Sequence, residues 1–149
     1  MASTLKVKIE ENIILDNQDY GSKRTLEIGS IDEVSKRIVT CVASQTTTVA
    51  VFSGTVNNSA GAIDIQDSKY IRVTNLDSSN AVELAVVGAA TLYQVKLGAG
   101  ESHVLGSADD LMLSEADTSP SFGTMADLAS IQVNPGGNAI DVEVFVAGI

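Results

Sequence analysis

One cysteine, one histidine and no tryptophan occur in 149 residues, and each scarcity removes a class of function. A lone Cys41 cannot build an internal disulfide framework. One Cys and one His cannot complete a transition-metal site, which draws three or four such ligands. Cys41 lies in the apolar run 38–42, Ile-Val-Thr-Cys-Val, and is expected as a small buried hydrophobe. Three Tyr and three Phe leave few platforms on which a sugar could stack beside paired carboxylates. Only two prolines interrupt the chain, Pro120 and Pro135, both inside turn-like stretches.

Cations are missing altogether from residues 97–149, a stretch with eight acids: Glu101, Asp109, Asp110, Glu115, Asp117, Asp127, Asp141 and Glu143. That stretch carries −8. Residues 1–96 hold all nine bases against eleven acids, which is −2, and together they make the net −10. A block without Lys or Arg cannot neutralise phosphates, so nucleic acid is not an expected partner. The same net charge disfavours an anionic membrane surface. No run of eighteen apolar residues is present, as a spanning helix requires, and MASTLKVKIEE at the start has no secretory apolar core. Neither a secretory signal nor a membrane span is therefore expected.

Catalytic and cofactor signatures are absent too. His103 with Ser102 and Asp109 offers the residue types of a triad, but neighbours on a strand point to opposite faces. No phosphate-cradling glycine motif occurs, and Gly98-Ala99-Gly100 reads as a turn. The carboxylate pairs Asp109/Asp110, Asp64/Asp67 and Asp16/Asp19 lack calcium-loop spacing and read as solvated turn acids. The Asn57-Asn58-Ser59 sequon reads as chance. No enzyme, cofactor or metal is expected.

What the chain does have is alternation. Hydrophobic residues make up 44% and charged residues 19%, below the usual quarter or so, with Ser, Thr, Asn and Gly filling the difference. A core must come from Val, Ile, Leu and Ala. Apolar residues recur at period two in 5–9, 24–28, 38–43, 46–52, 70–74, 81–87, 91–97, 102–105, 111–113, 130–133 and 139–146. Ile71 and Val73, then Val82, Leu84 and Val86, then Ile140, Val142, Val144 and Val146, are expected to face inward. Turn chemistry separates the runs at 16–21, 44–45, 53–61, 75–80, 98–100 and 134–138. Four reversals are expected as strand returns or hairpins: 38–43 with 46–52, 70–74 with 81–87, 91–97 with 102–105, and 130–133 with 139–146. Residues 114–127 read as a loop, with one helical turn near 125–128. The sum is a single all-β domain over 1–149, an antiparallel β-sandwich or jelly roll of about nine or ten short strands. Residues 1–16 are either its first strand or an arm that pairs with a neighbour.

The bases cluster as Lys6/Lys8, Lys23-Arg24, Lys36-Arg37 and Lys69/Arg72, all in or beside strands of the first half. They read either as charge protecting edge strands or as a weakly cationic face docking on the acidic part of another copy. Such a heterologous contact closes rings. The candidate interface residues are Lys6, Lys8, Lys36, Arg37, Tyr70 and Arg72.

Three stretches carry a family resemblance. Lys69-Tyr70-Ile71-Arg72-Val73-Thr74-Asn75-Leu76-Asp77 runs on to Val82–Val86. Tyr93-Gln94-Val95-Lys96-Leu97-Gly98-Ala99-Gly100-Glu101-Ser102 follows, and Val142-Glu143-Val144-Phe145-Val146-Ala147-Gly148-Ile149 closes the chain. Together they resemble small structural proteins of tailed-bacteriophage virions over about residues 35–149. The resemblance implies a β-sandwich or jelly-roll building block with no enzymatic residues. It points to a capsid decoration (cement) protein, a homo-oligomer and specifically a trimer, on the outer capsid surface. There it would bridge the major capsid protein or another virion protein. The alternatives are a tail, neck, baseplate or fibre-attachment component, and, from another class, a carbohydrate-binding receptor module.

Overall fold

Alternating β-branched residues fit a pleated, half-buried surface, and a computed structural model of the chain shows strands throughout. It describes residues 1–55, 61–88, 92–113 and 119–149, among which there are thirteen strands and no helix. Strand β1 (Ser3–Glu11) pairs antiparallel with β4 (Ser22–Ile31), Leu5 opposite Ile28 and Ile9 opposite Arg24, as a long ribbon. The two-residue strands β2 (Ile14–Leu15) and β3 (Gln18–Asp19) form its tip. Asp16 and Asn17 join them at φ of 49° and 62°, the positive pair that a type I′ hairpin needs. At the joint below the tip, Gly21 is required. A Cβ there would lie 2.5 Å from the Glu11 carbonyl oxygen.

The body comprises β5 (Glu33–Cys41), β6 (Thr47–Ser53), β7 (Ile63–Asp64), β8 (Ser68–Asn75), β9 (Val82–Gly88), β10 (Leu92–Leu97), β11 (Ser102–Leu105), β12 (Leu128–Asn134) and β13 (Ile140–Gly148). A back sheet has the order β11-β8-β13-β5 and a front sheet the order β10-β9-β12-β6-β7. Only β6 with β7 is parallel among these pairings. The chain leaves one sheet for the other at β5→β6, β7→β8, β8→β9, β10→β11, β11→β12 and β12→β13, and only β9 with β10 forms a hairpin of the body. Four strands on each side connected in this way, with the short β7 at one margin, make a jelly roll.

The four expected reversals are therefore corners between sheets and not pairs within one. Alternation reports which residues of a strand face inward, and both strands of a corner bury one face just as both strands of a hairpin do. Turn chemistry does not separate the cases either, since Ser44, Gly100 and Gly136 adopt φ of 60°, 74° and 69° at such corners. The strand count exceeds nine or ten because β2, β3 and β7 have two residues each, too few for any period. The strand expected at 111–113 reduces to one bridge, Met112 with Ala126. That bridge occupies the Ala126 backbone and Leu128 already opens β12, so no helical turn forms at 125–128. The sequon at 57–59 and parts of the loops at 53–61 and 114–127 lie outside the described residues. Within segment 1–16, β1 pairs with β4 and β2 with β3 of the same chain.

The inward faces are as the alternation predicts. Ile71, Val73, Val82, Leu84, Val86, Ile140, Val142, Val144 and Val146 are all buried in one aliphatic core, which also takes Cys41. Burial of each such aliphatic side chain contributes about 1.5–3 kcal/mol. A second, smaller cluster lies on the other side of the back sheet. There Ile31, Tyr70 and Ala147 pack with Leu5, Val7, Ile28 and Phe145. The foot of the ribbon thus covers β8 and β13 at one end, with Tyr70 edge-on to Phe145 at 6.0 Å between centroids.

Asn75 is the fully buried polar residue that ties two corners together. Its Nδ2 donates to the carbonyls of Asn80 (2.8 Å), Gly98 (3.0 Å) and Leu97 (3.3 Å), and its Oδ1 accepts the Asp77 amide at 3.0 Å. Its own amide donates to the Glu101 carbonyl at 3.0 Å. Truncation would take this donor from three carbonyls, the buried one of Leu97 and the part-buried ones of Asn80 and Gly98. Asn75→Ala should lower the unfolding free energy by about 3 kcal/mol in urea denaturation, and Leu76→Ala beside it, at a half-exposed side chain, by much less.

Candidate functional site

The outer face of the back sheet carries the strongest polar constellation. Residues two apart share a face of a strand, so β5 presents Lys36, β13 presents Glu143, and β8 presents Arg72 and Thr74. Arg72 donates through Nη2 to Glu143 Oε1 at 2.7 Å, and Lys36 Nζ stands 3.5 Å from Glu143 Oε2. Arg72 also donates to the Thr74 hydroxyl, which meets Ser102 Oγ of β11 at 2.7 Å. Its guanidinium lies 5.8 Å from the Phe145 ring centroid. One polar row thus crosses all four strands. The hydrogen bond from Arg72 holds the Glu143 carboxyl below the usual range, aided by Lys36 and opposed by burial.

The six interface candidates do not form one cationic face. Lys6 pairs across the ribbon with Glu27 at 2.8 Å, both half exposed, a contact of little energetic weight. Lys8, also exposed, stands opposite Thr25 on the same ribbon. Lys36 and Arg72 are committed to Glu143. Arg37 turns to the other side of β5 and donates to the Val49 carbonyl of β6, joining the margins of the two sheets. Tyr70 is buried beneath the ribbon, its ring packed among the aliphatic side chains there, and offers only a sliver of surface. The cation-free stretch is not a spatial half of the molecule. Its β12 lies between β9 and β6, and its β13 between β8 and β5.

What the charge pattern did not point to is an apolar one. Every residue from 8 to 27 is exposed, and these include Ile9, Ile13, Ile14 (75% accessible), Leu15, Tyr20 and Leu26. The signal was legible as three consecutive apolar residues, Ile13-Ile14-Leu15, set directly against the turn at Asp16.

The remaining reactive groups are spoken for. Ser102 points outward to Thr74, whereas His103 points inward, its Nε2 3.1 Å from the Tyr93 hydroxyl of β10. Burial holds the His103 imidazole below its usual range and the Tyr93 phenol above its own. Burial likewise pushes the Cys41 thiol up. Asp64 and Asp19 accept backbone amides two residues on, as turn acids do. Asp109 and Asp110 are joined by Asp127, the three offering oxygens within 4.8 Å of one another. Asp127 accepts the Asp110 amide at 3.0 Å. Lost hydration and the charges of Asp110 and Asp127 raise the Asp109 pKa.

No family model matches this chain, and no curated protein does. Among solved structures it is similar to a protein described under "Bacillus endospore appendages form a novel family of disulfide-linked pili". That match covers 99% of this chain and 87% of the other, at 8% identity and a TM-score of 0.45, too slight a likeness to assign a role.

Two substitutions should act with opposite sign. Glu143 is depressed in the folded state, so its contribution is present above the ordinary carboxylate range and fades as pH falls through the lowered value. Glu143→Gln should cost about 1 kcal/mol at neutral pH, with the difference from wild type vanishing in strong acid. Asp109 is raised, so its ionised form opposes folding above that value. Asp109→Asn should raise the thermal midpoint at neutral pH, and the gain should disappear on acidification. Thermal melts across pH 2–8 check both.

Proposed function

We propose that this protein is a structural subunit of a tailed-phage particle, specifically a decoration protein seated on the outer capsid surface. In that role it bridges neighbouring copies of the major capsid protein and stiffens the shell against the pressure of packaged DNA. The observation that carries the reading is the ribbon. A rigid jelly roll extends a paired, twenty-residue exposed segment with aliphatic side chains along it, and an exposed apolar patch of this kind marks a surface made for a partner. Resemblance to virion structural proteins in β8, β10 and β13 supports the same class. The acidic charge suits a protein that sits near packaged DNA without binding it. The work done is mechanical, through fit of surfaces, and needs no catalytic group.

Addition of the purified protein to particles that lack it tests the proposal. Saturable binding at a copy number set by the capsid lattice, with genome release moved to higher temperature, is the expected outcome. A handful of copies confined to the neck or tail would favour a tail-component role instead. Absence of binding to any part of the particle, with binding to a glycan in its place, would overturn both.

A further inference from the structure

Two surfaces of this chain are complementary to each other and cannot meet within one molecule. The first is the ribbon tip, residues 12–20, with Ile13, Ile14, Leu15 and Tyr20 exposed, Asp16 and Asp19 beside them, and no base. The second is a groove of about 380 Å³ at the ribbon's foot, walled by Val7, Leu26, Tyr70 and Val104. Its charged lining is Arg24 and Lys69, and it contains no acid. Arg24 makes no ion pair among the described residues.

The tip belongs to the same paired ribbon that walls the groove. Asp16 is seven residues beyond Ile9, about 23 Å along a strand at 3.3 Å per residue. A hydrogen-bonded ribbon cannot double back over that length to fill its own foot. We infer that the ribbon tip of one copy docks in the groove of a second copy, aliphatic side chains against the apolar walls and Asp16 and Asp19 towards Arg24 and Lys69.

The occupant is a second copy because every molecule carries both halves of the match, anionic and apolar on one side, cationic and apolar on the other. The type I′ turn holds the tip in shape before docking, so little conformational freedom is lost on binding. The two patches are different, so the contact is head-to-tail and propagates into a closed ring or an open chain. This deepens the particle role by naming a contact between copies, and it rests on that role only for its setting, since docking needs no capsid.

Light scattering and sedimentation of the full chain test the inference. The wild type should self-associate with rising concentration. The tip variant Ile14→Ser/Leu15→Ser and the groove variant Arg24→Glu/Val104→Glu should each weaken association about tenfold or more, with far-UV spectra and melting temperature unchanged. All four side chains are exposed, so the fold should survive. An equimolar mixture of the two variants should form one-to-one dimers and nothing larger, because each variant keeps one intact surface. A wild type that stays monomeric at every soluble concentration, an unimpaired tip variant, or a mixture that stays monomeric would overturn the inference. Particle binding by a monomeric wild type would leave the virion role standing while this contact fails.

Discussion

The structure depends on closing one aliphatic core between two sheets that the chain never completes one at a time. Apart from β6→β7 and β9→β10, successive strands from β5 to β13 go to opposite sheets, so neither sheet is complete until the other is. Without tryptophan, and with aromatics at 4%, the filling is done by Val, Ile and Leu packed at close range. Each corner brings backbone amides and carbonyls to the rim of that core, where they must find partners. Asn75 does this for two corners at once, with four bonds from one buried amide side chain. Ser68 does the same at another corner, donating to the Ile65 carbonyl and accepting the Ala108 amide.

The ribbon is held by a different means. Among the described residues its strands pair only with each other, and its attachment is the small cluster around Ile31, Tyr70 and Ala147. The same end of the back sheet therefore has apolar cover on both sides, while the polar row from Lys36 through Glu143 and Arg72 to Ser102 occupies the uncovered part. Anchored foot and free tip have different chemistry. The foot buries Leu5 and Val7 in part, while beyond it the same alternation leaves aliphatic residues in solvent. An element that is stiff, paired and apolar at its free end is suited to contact between subunits.

Charge is arranged by the fold and not by position along the chain. Fifty-three residues without a cation suggest an acidic half, but β12, which carries no acid, and β13 are interior strands of their sheets, and the acids of the stretch are dispersed. Glu143 meets Arg72 and Lys36 from the other part of the sequence. Glu101 turns back to accept the Gly98 amide at its own corner. The like charges that remain adjacent, Asp109, Asp110 and Asp127, come together from residues seventeen apart.

Period-two alternation by itself determined the all-β class, the inward set from Ile71 to Val146, and the burial of Cys41. Those features follow from local stereochemistry, because successive side chains of a strand face opposite sides whatever the strand pairs with. Strand partners, the Asn75 hub, the seating of Tyr70 and the approach of Asp127 to Asp109 were decided only by the tertiary structure. Each depends on contacts between residues distant in sequence, and an inward face looks the same at a hairpin as at a corner between sheets. The apolar triplet at Ile13-Ile14-Leu15 was present in the sequence, but only the folded ribbon shows that nothing among the described residues covers it.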